Sequence, residues 1–412
     1  MPIARRHVLG LPLALAAPAV ARAATSELTF WSWRQEDRAF YERTIAAFRK
    51  SHPDVAIRFQ AFEPTQYPTI LSTALAGGKA GDILQVKSYG GLAALAGPGY
   101  LAPLDRASVP ELANFSAEAL AAVSAGGHVY AVPFATQTML VLFNTALFAK
   151  AGIAAPTTWD GLLAACKTLK AKGITPFANG TATSWQNETL TFSLLSSMIG
   201  KSFAADVAAG HATFADPRFT GPLGHLLDLR GYLAPNFSGI DYPTSQQLFV
   251  AGRAAMFAGG SFELANFRQQ NPALKLDVFP PPSPHAGEPA LVSTYYDGGY
   301  AVNAKSPQRA TALTFLRTLG TPAYGTAFSN ALQNVSPIKG ITIKDPLLEK
   351  VRKLDANAIP YLMLVYFRYH EPNGSVLLQS GVQKMLAGQA SPAQVAAAID
   401  TGIATYDPAF RK

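Results

Sequence analysis

Cys166 is the only cysteine in 412 residues, so no disulfide can close within the chain. Its setting in "WDGLLAACKTLKAKG" makes it a small apolar residue on a helix. Charge is sparse too. Only 15% of residues are charged against 49% hydrophobic, which excludes a disordered, tail-rich protein and allows a sizeable core. No apolar run reaches the roughly 20 residues that a membrane span needs. The best candidate, Val8 to Val20, is interrupted by Gly10, Pro12 and Pro18. The sequence also lacks H-E-x-x-H, G-x-S-x-G, G-x-x-x-x-G-K-[ST] and G-x-G-x-x-G, and its seven histidines form no H-x-x-H cluster. Those gaps remove the common metalloprotease, hydrolase and nucleotide-binding signatures. A glycoside hydrolase needs only two carboxylates, which no linear motif reveals, so a secreted carbohydrate-active enzyme remains an alternative.

What is present begins with a leader. The stretch "MPIARRHVLGLPLALAAPAVARAATS" has no acidic side chain, a paired Arg5-Arg6, an apolar run, and Ala21 and Ala23 flanking Arg22. That order predicts a secretory signal peptide over residues 1–23, cleaved after Ala23, with Arg-Arg-His-Val-Leu matching a twin-arginine address. Cleavage would remove Arg5, Arg6 and Arg22 and lower the net charge from +8 to +5. With no basic run, that charge points away from nucleic acid. No cysteine lies near the cleavage site to carry a lipid, so a free, soluble periplasmic protein is expected.

Beyond the leader, strand and helix patterns alternate. "LTFWSW", "VAIRFQ" and "DILQV" read as strands, "DRAFYERTIAAFRKSH" and "PTQYPTILSTALAGG" as helices ended by Pro53 and by Gly77-Gly78. This order predicts an α/β fold with a largely parallel sheet, whose ligands bind beyond the carboxyl ends of the strands. Trp33-Arg34-Gln35-Glu36 and Lys87-Ser88-Tyr89 follow strands and are therefore candidate site residues. A second α/β region begins near "TMLVLFNTALFAKAGI", with Thr158 placed to cap a helix starting at Trp159. Mostly helical patterns are expected from there to about residue 270. The proline-rich connector "LDVFPPPSPHAGEPA" leads to a strand after the glycines of "YYDGGYAVNAKS" and then to two helices.

Several stretches together resemble family 1 extracellular solute-binding proteins, the receptors of sugar ABC importers: "AAFRKSHPDVAIRF", "TALAGGKAGDILQV", "HVYAVPFATQTMLVLFNTALFAKAGIAAPTTWDGLLAACKTLKAKGITPF", "LFVAGRAAMFAGGSF" and "GGYAVNAKSPQRATALTFLRTL". The resemblance implies a two-lobe periplasmic binding protein fold with a cleft between lobes joined by crossover segments. Lobe one would comprise 27–135 plus 294–335, and lobe two 136–293 plus 336–412. It implies no enzymatic activity, no cofactor, a mono- or oligosaccharide or related polyol or glycoside as ligand, importer membrane subunits as partners, and a monomer. Where the family most often has tryptophan, this chain has Phe262.

A sugar presents C–H faces and a rim of hydroxyls, so its site needs aromatic plates and polar side chains that donate and accept together. Trp33, Trp185, Phe262 and Tyr296 are candidate plates, with Trp31 a packing support. Gln35, Glu36, Gln137, Asn187, Glu263, Asp297 and Arg368 are candidate rim residues, joined by Arg34, Ser88, Tyr89, Ser261 and Gly298. Asp82 is read as a turn residue. Tyr295-Tyr296 also raises ferric iron, and a polyamine or an organic anion would fit the same fold.

Overall fold

The computed structural model describes residues 26–64 and 66–411, so the expected signal peptide lies outside the described residues. The strands are β1 (Ser26–Ser32), β2 (Val55–Ala61), β3 (Ile83–Val86), β4 (Ser124–Ala125), β5 (His128–Val129), β6 (Ala131–Pro133), β7 (Thr136–Asn144), β8 (Thr175–Phe177), β9 (Ala254–Gly260), β10 (Leu276–Phe279), β11 (Val292–Tyr296), β12 (Gly299–Val302) and β13 (Ala358–Pro360). They form two main sheets. The first runs β2-β1-β3-β12-β6 and the second β13-β11-β7-β9-β8 with β10 also on β7, while β4 and β5 make a small hairpin.

The first sheet grows from the expected units. β1 lies parallel to β2 and β3, with helices Arg38–Arg49 and Tyr67–Ala76 between them, while β12 pairs antiparallel with β3 and β6. Phe30 on β1 is fully buried, and Tyr41, Phe59, Tyr300 and Phe315 meet its ring at centroid distances of 5.2 to 6.1 Å. The Tyr41 and Tyr300 hydroxyls lie 2.9 Å apart, and those of Tyr300 and Tyr324 lie 2.6 Å apart. Gln85 Nε2 donates to Tyr41 Oη at 2.8 Å, and Ser32 Oγ donates to Gln85 Oε1. These buried polar groups therefore satisfy one another beneath the carboxyl end of β1. Asp82 accepts from Thr29 N at 2.8 Å and from Ser306 Oγ at 2.7 Å, tying loops rather than facing a ligand.

The second sheet differs from the helical reading of the middle of the chain. Ala254–Gly260 is a strand, buried at every position, between β7 and β8. A strand covered on both faces shows no alternation, and its alanines, methionine and glycines carry little β-branched signal. Helix Trp159–Ala171 starts as expected, with Thr158 Oγ1 accepting from Gly161 N, and Cys166 is fully buried on it. Burial pushes the Cys166 thiol up to about 12.

The two sheets share no strand. The chain passes between them three times, from β6 to β7, from β11 to β12 and, through the segment that includes Val335, from β12 to β13. "YYDGGY" holds the end of one strand and the start of another, with Asp297-Gly298 as the crossing. The boundary expected at 294 falls inside β11, which pairs with β7 and β13 in the second sheet. The crossing segments bond to each other: Thr136 N donates to Val335 O at 2.8 Å, Asp297 N to Ala135 O at 3.0 Å and Phe134 N to Gly298 O at 3.2 Å.

Candidate ligand-binding cleft

The first wall is set by the end of β1. Ser32 Oγ accepts from Arg34 N at 2.9 Å, so the residue that closes the buried network also turns the chain out of the strand. Trp33 is almost buried, packed on Tyr67 and Phe134 at 5.9 and 5.8 Å. The Lys87 ammonium sits 4.0 Å from its ring centroid, a cation–π contact, and is 3.0 Å from Asp297 Oδ1. Arg34 is held by Asp37 and lies 3.6 Å from Glu36. Burial opposes the Arg34 charge, but the two carboxylates outweigh it and raise its pKa. Trp31 packs on Phe62 at 4.7 Å, and Phe62 in turn on Tyr67, which supports Trp33.

The facing wall is built on helix Ser184–Ala208, broken at Gly200 where φ is +75°. Trp185, Glu188 and Thr189 share its cleft face through the three-to-four residue spacing of a helix. Trp185 is 37% exposed, the most open tryptophan face in the cleft, and contacts the Tyr242 ring at 4.5 Å and Phe262 at 6.4 Å. Glu188 is buried; it accepts from Ser375 Oγ at 3.1 Å and Gln379 Nε2 at 2.7 Å, and Arg368 lies 3.7 Å away. Burial raises its pKa against the pull of those partners. Glu263 accepts from Tyr242 Oη at 2.7 Å and Gln246 Nε2 at 2.8 Å, and burial pushes its carboxyl up to about 7.

Between these walls are two cavities of about 540 and 740 Å³ that share Lys87, Trp185, Phe262, Tyr295 and Asp297, and so form one cleft. That size suits a small-molecule site. Of the sequence candidates, Trp33, Arg34, Glu36, Ser88, Tyr89, Trp185, Phe262, Glu263, Tyr296, Asp297 and Arg368 line it. Five do not. Gln35 is exposed beside the cleft, where its carbonyl accepts from Arg38 N at 3.3 Å. Gln137 and Ser261 are fully buried at the crossover: Gln137 donates to Asn334 Oδ1 at 3.1 Å and accepts from Ser261 Oγ at 2.8 Å. Asn187 points into the second lobe, donating to the carbonyls of Thr181 and Gln379 at 3.2 and 3.3 Å. Gly298 sits behind Trp33, where an added Cβ would come within 2.3 Å of Val86 O.

Lys87, named from its place after β3, also lines the cleft; Glu188, Tyr242, Tyr361 and Asn334 were missed. Glu188 lies three residues after Trp185, a spacing that could have found it. The others carry no local signal. Among the described residues no three His, Cys, Asp or Glu side chains gather to hold a metal, and no helix is long and apolar enough to cross a membrane.

A multiple sugar-binding protein of Streptococcus mutans is 23% identical over 306 residues, 71% of each chain. A solved chitin oligosaccharide binding protein superposes with a TM-score of 0.77 at 24% identity, covering 94% of this chain and all of that one. The GacH receptor of Streptomyces glaucescens gives 0.76 at 20% identity, covering 94% and 98%. These likenesses show the two-lobe α/β fold. The family model for bacterial extracellular solute-binding proteins matches residues 31–326, so this chain, a binding protein rather than an enzyme, belongs to that family.

Proposed function

We propose that the protein is a periplasmic receptor, acting as a monomer, that captures an uncharged mono- or oligosaccharide, or a related polyol or glycoside, and delivers it to the membrane subunits of an ABC importer. One observation carries the choice of ligand: the charged side chains of the cleft are already engaged within the protein. Lys87 pairs with Asp297, Arg34 with Asp37 and Glu36, Arg368 with Glu188, and Arg268 with Asp345. Glu263 is held by Tyr242 and Gln246, with its pKa raised. A polyamine would ask for free carboxylates and an organic anion for free cations; neither is on offer. Burial also raises the pKa of Tyr295 well above the ordinary value, which disfavours the phenolate that ferric iron would want. What the walls do offer is aromatic surface from Trp185, Phe262 and Tyr295, edged by the amides of Gln246, Asn266 and Gln333, which are held by Glu263, Gln270 and Arg268 but, unlike a paired charge, each keep a further hydrogen or lone pair for a hydroxyl.

In this reading, ligand contacts made by both walls at once favour the closed arrangement and shift the population toward it. The signal peptide, cleaved near Ala23, would supply export by the twin-arginine route. Curated relatives named for sugars, including the S. mutans protein and a maltotriose-binding protein of Pyrococcus abyssi, support the ligand class. A thermal-shift screen with maltotriose, chitobiose, raffinose, spermidine and citrate tests it. Stabilisation by a sugar is expected, roughly 2.7 kcal/mol at a hundred times the dissociation constant. Stabilisation by spermidine or citrate alone would overturn the reading.

A further inference from the structure

Among the described residues, three non-glycine residues have positive φ: Tyr89, Asn236 and Gln333. Asparagine adopts that region readily; a bulky tyrosine does so only where its surroundings hold it. Tyr89, at φ +56° and ψ −127°, precedes helix Gly90–Ala96 in the first lobe. Its N–H donates to Ala122 O at 2.8 Å, which fixes the strained backbone. Its side chain reaches across to the second sheet, where Tyr89 Oη accepts from the backbone N–H of Tyr296 at 3.2 Å.

The next residue makes the approach possible. A Cβ built on Gly90 would lie 2.3 Å from the carbonyl oxygen of Arg368 and 3.3 Å from the Cα of Tyr369. Both are backbone atoms that cannot swing aside. Phe367, just before Arg368, packs in the second lobe's core, so Gly90 against Arg368 is a lobe-to-lobe contact away from the crossover strands. Tyr89 and Tyr296 also line a second cavity, together with Tyr366 and Tyr369, and are the residues it shares with the cleft, so the pair stands as a partition between the two.

We propose that the Tyr89-Gly90 step is the latch between the lobes: Gly90 lets the second lobe's backbone close to contact, and strained Tyr89 holds it by accepting from Tyr296 N. Tyr89 is thus a positioning residue rather than a plate for the ligand. The proposal rests on the reading of the protein as a receptor that closes on its ligand, but two of its tests need no ligand.

The variants are Gly90→Val, which fills the contact, and Tyr89→Phe, which keeps the ring and removes the acceptor. Without ligand, small-angle scattering should show a larger radius of gyration for Gly90→Val than for wild type. Hydrogen exchange at the Tyr296 amide should be about tenfold faster in Tyr89→Phe. With maltotriose, chitobiose and raffinose as probes, any sugar that binds wild type should bind Gly90→Val at least tenfold more weakly. Unchanged scattering of a folded Gly90→Val, or unchanged Tyr296 exchange in Tyr89→Phe, would overturn the latch. If wild type binds none of the three sugars, the sugar reading loses its support while scattering and exchange still decide the latch. Should Gly90→Val fail to fold, the Tyr89→Phe exchange decides it alone.

Discussion

At the scale of single residues, the cleft separates side chains that can meet a ligand from those that hold the walls. Trp185 belongs to the first group, because over a third of it is exposed and its neighbours Tyr242 and Phe262 brace it edge-on. Trp185→Ala should weaken sugar binding by about tenfold or more, about 1.4 kcal/mol, with little change in melting temperature. Titration by calorimetry beside a melting curve checks both halves. Glu263 shows how burial shapes pH dependence. Its pKa rises from the ordinary 4.5 to about 7 in the fold. Between about those values the folded protein keeps a proton that the unfolded chain has released, so stability falls as pH rises through this window and stays lower above it. Glu263→Gln has no proton to lose. Relative to wild type it should therefore gain roughly 2 kcal/mol on going from pH 5 to pH 8, measured by urea unfolding at both values. An equal difference at the two pH values would mean that Glu263 does not titrate in that range.

At the scale of elements, β1 and helix Ser184–Ala208 place the two walls. The end of β1 depends on Gln85 of β3, which is fully buried, donates to Tyr41 and accepts from Ser32. Gln85→Leu would take one partner from each hydroxyl, leaving Tyr41 Oη with Tyr300 and Ser32 Oγ with Arg34 N, so that the Ser32 oxygen that fixes Arg34 N is no longer held in place. A loss of roughly 2–3 kcal/mol is expected, with a red shift of tryptophan emission as Trp33 loosens, read together in one denaturation experiment. These elements also show how much the sequence reveals. β1, β2 and their helices were legible because each has one apolar face and a clear stop, such as Pro53 or Gly77-Gly78, and β3, though buried at every position, because its short run with Ile83 and Val86 follows a glycine turn. β9 was not, since burial on both faces erases alternation. In the cleft, residues next to strand ends or in a polar loop before a helix, such as Trp33, Tyr89 and Trp185, could be found from position alone. Tyr242 and Tyr361 could not, because they are brought in by folding between distant segments. Gln137 was read as a ligand contact for the right location and the wrong partner: the crossover itself uses its amide, through Asn334 and Ser261.

At the scale of the molecule, the two sheets are joined through short segments that bond to one another, while the cleft carries ion pairs on both walls. Such pairing inside a binding site has a consequence for how the receptor meets its ligand. An exposed, unpaired charge would attract an oppositely charged ligand over about a Debye length, and that attraction would fade with salt. Here Lys87 is committed both to Asp297 and to the face of Trp33, and Arg368 is committed to Glu188 and to Ser375, which accepts from its Nε at 3.0 Å. An uncharged sugar entering this cleft exchanges water for amides and aromatic faces without changing the net charge of either wall. Its affinity should then vary less than about twofold between 50 and 500 mM sodium chloride, a range over which long-range charge attraction is largely screened. Calorimetric titration of a sugar that stabilises the protein, repeated at both salt concentrations, makes the comparison. A tenfold loss at high salt would instead mean that one of these pairs opens on binding and presents its charge to the ligand, with Lys87 the first residue to examine because half of its side chain is exposed.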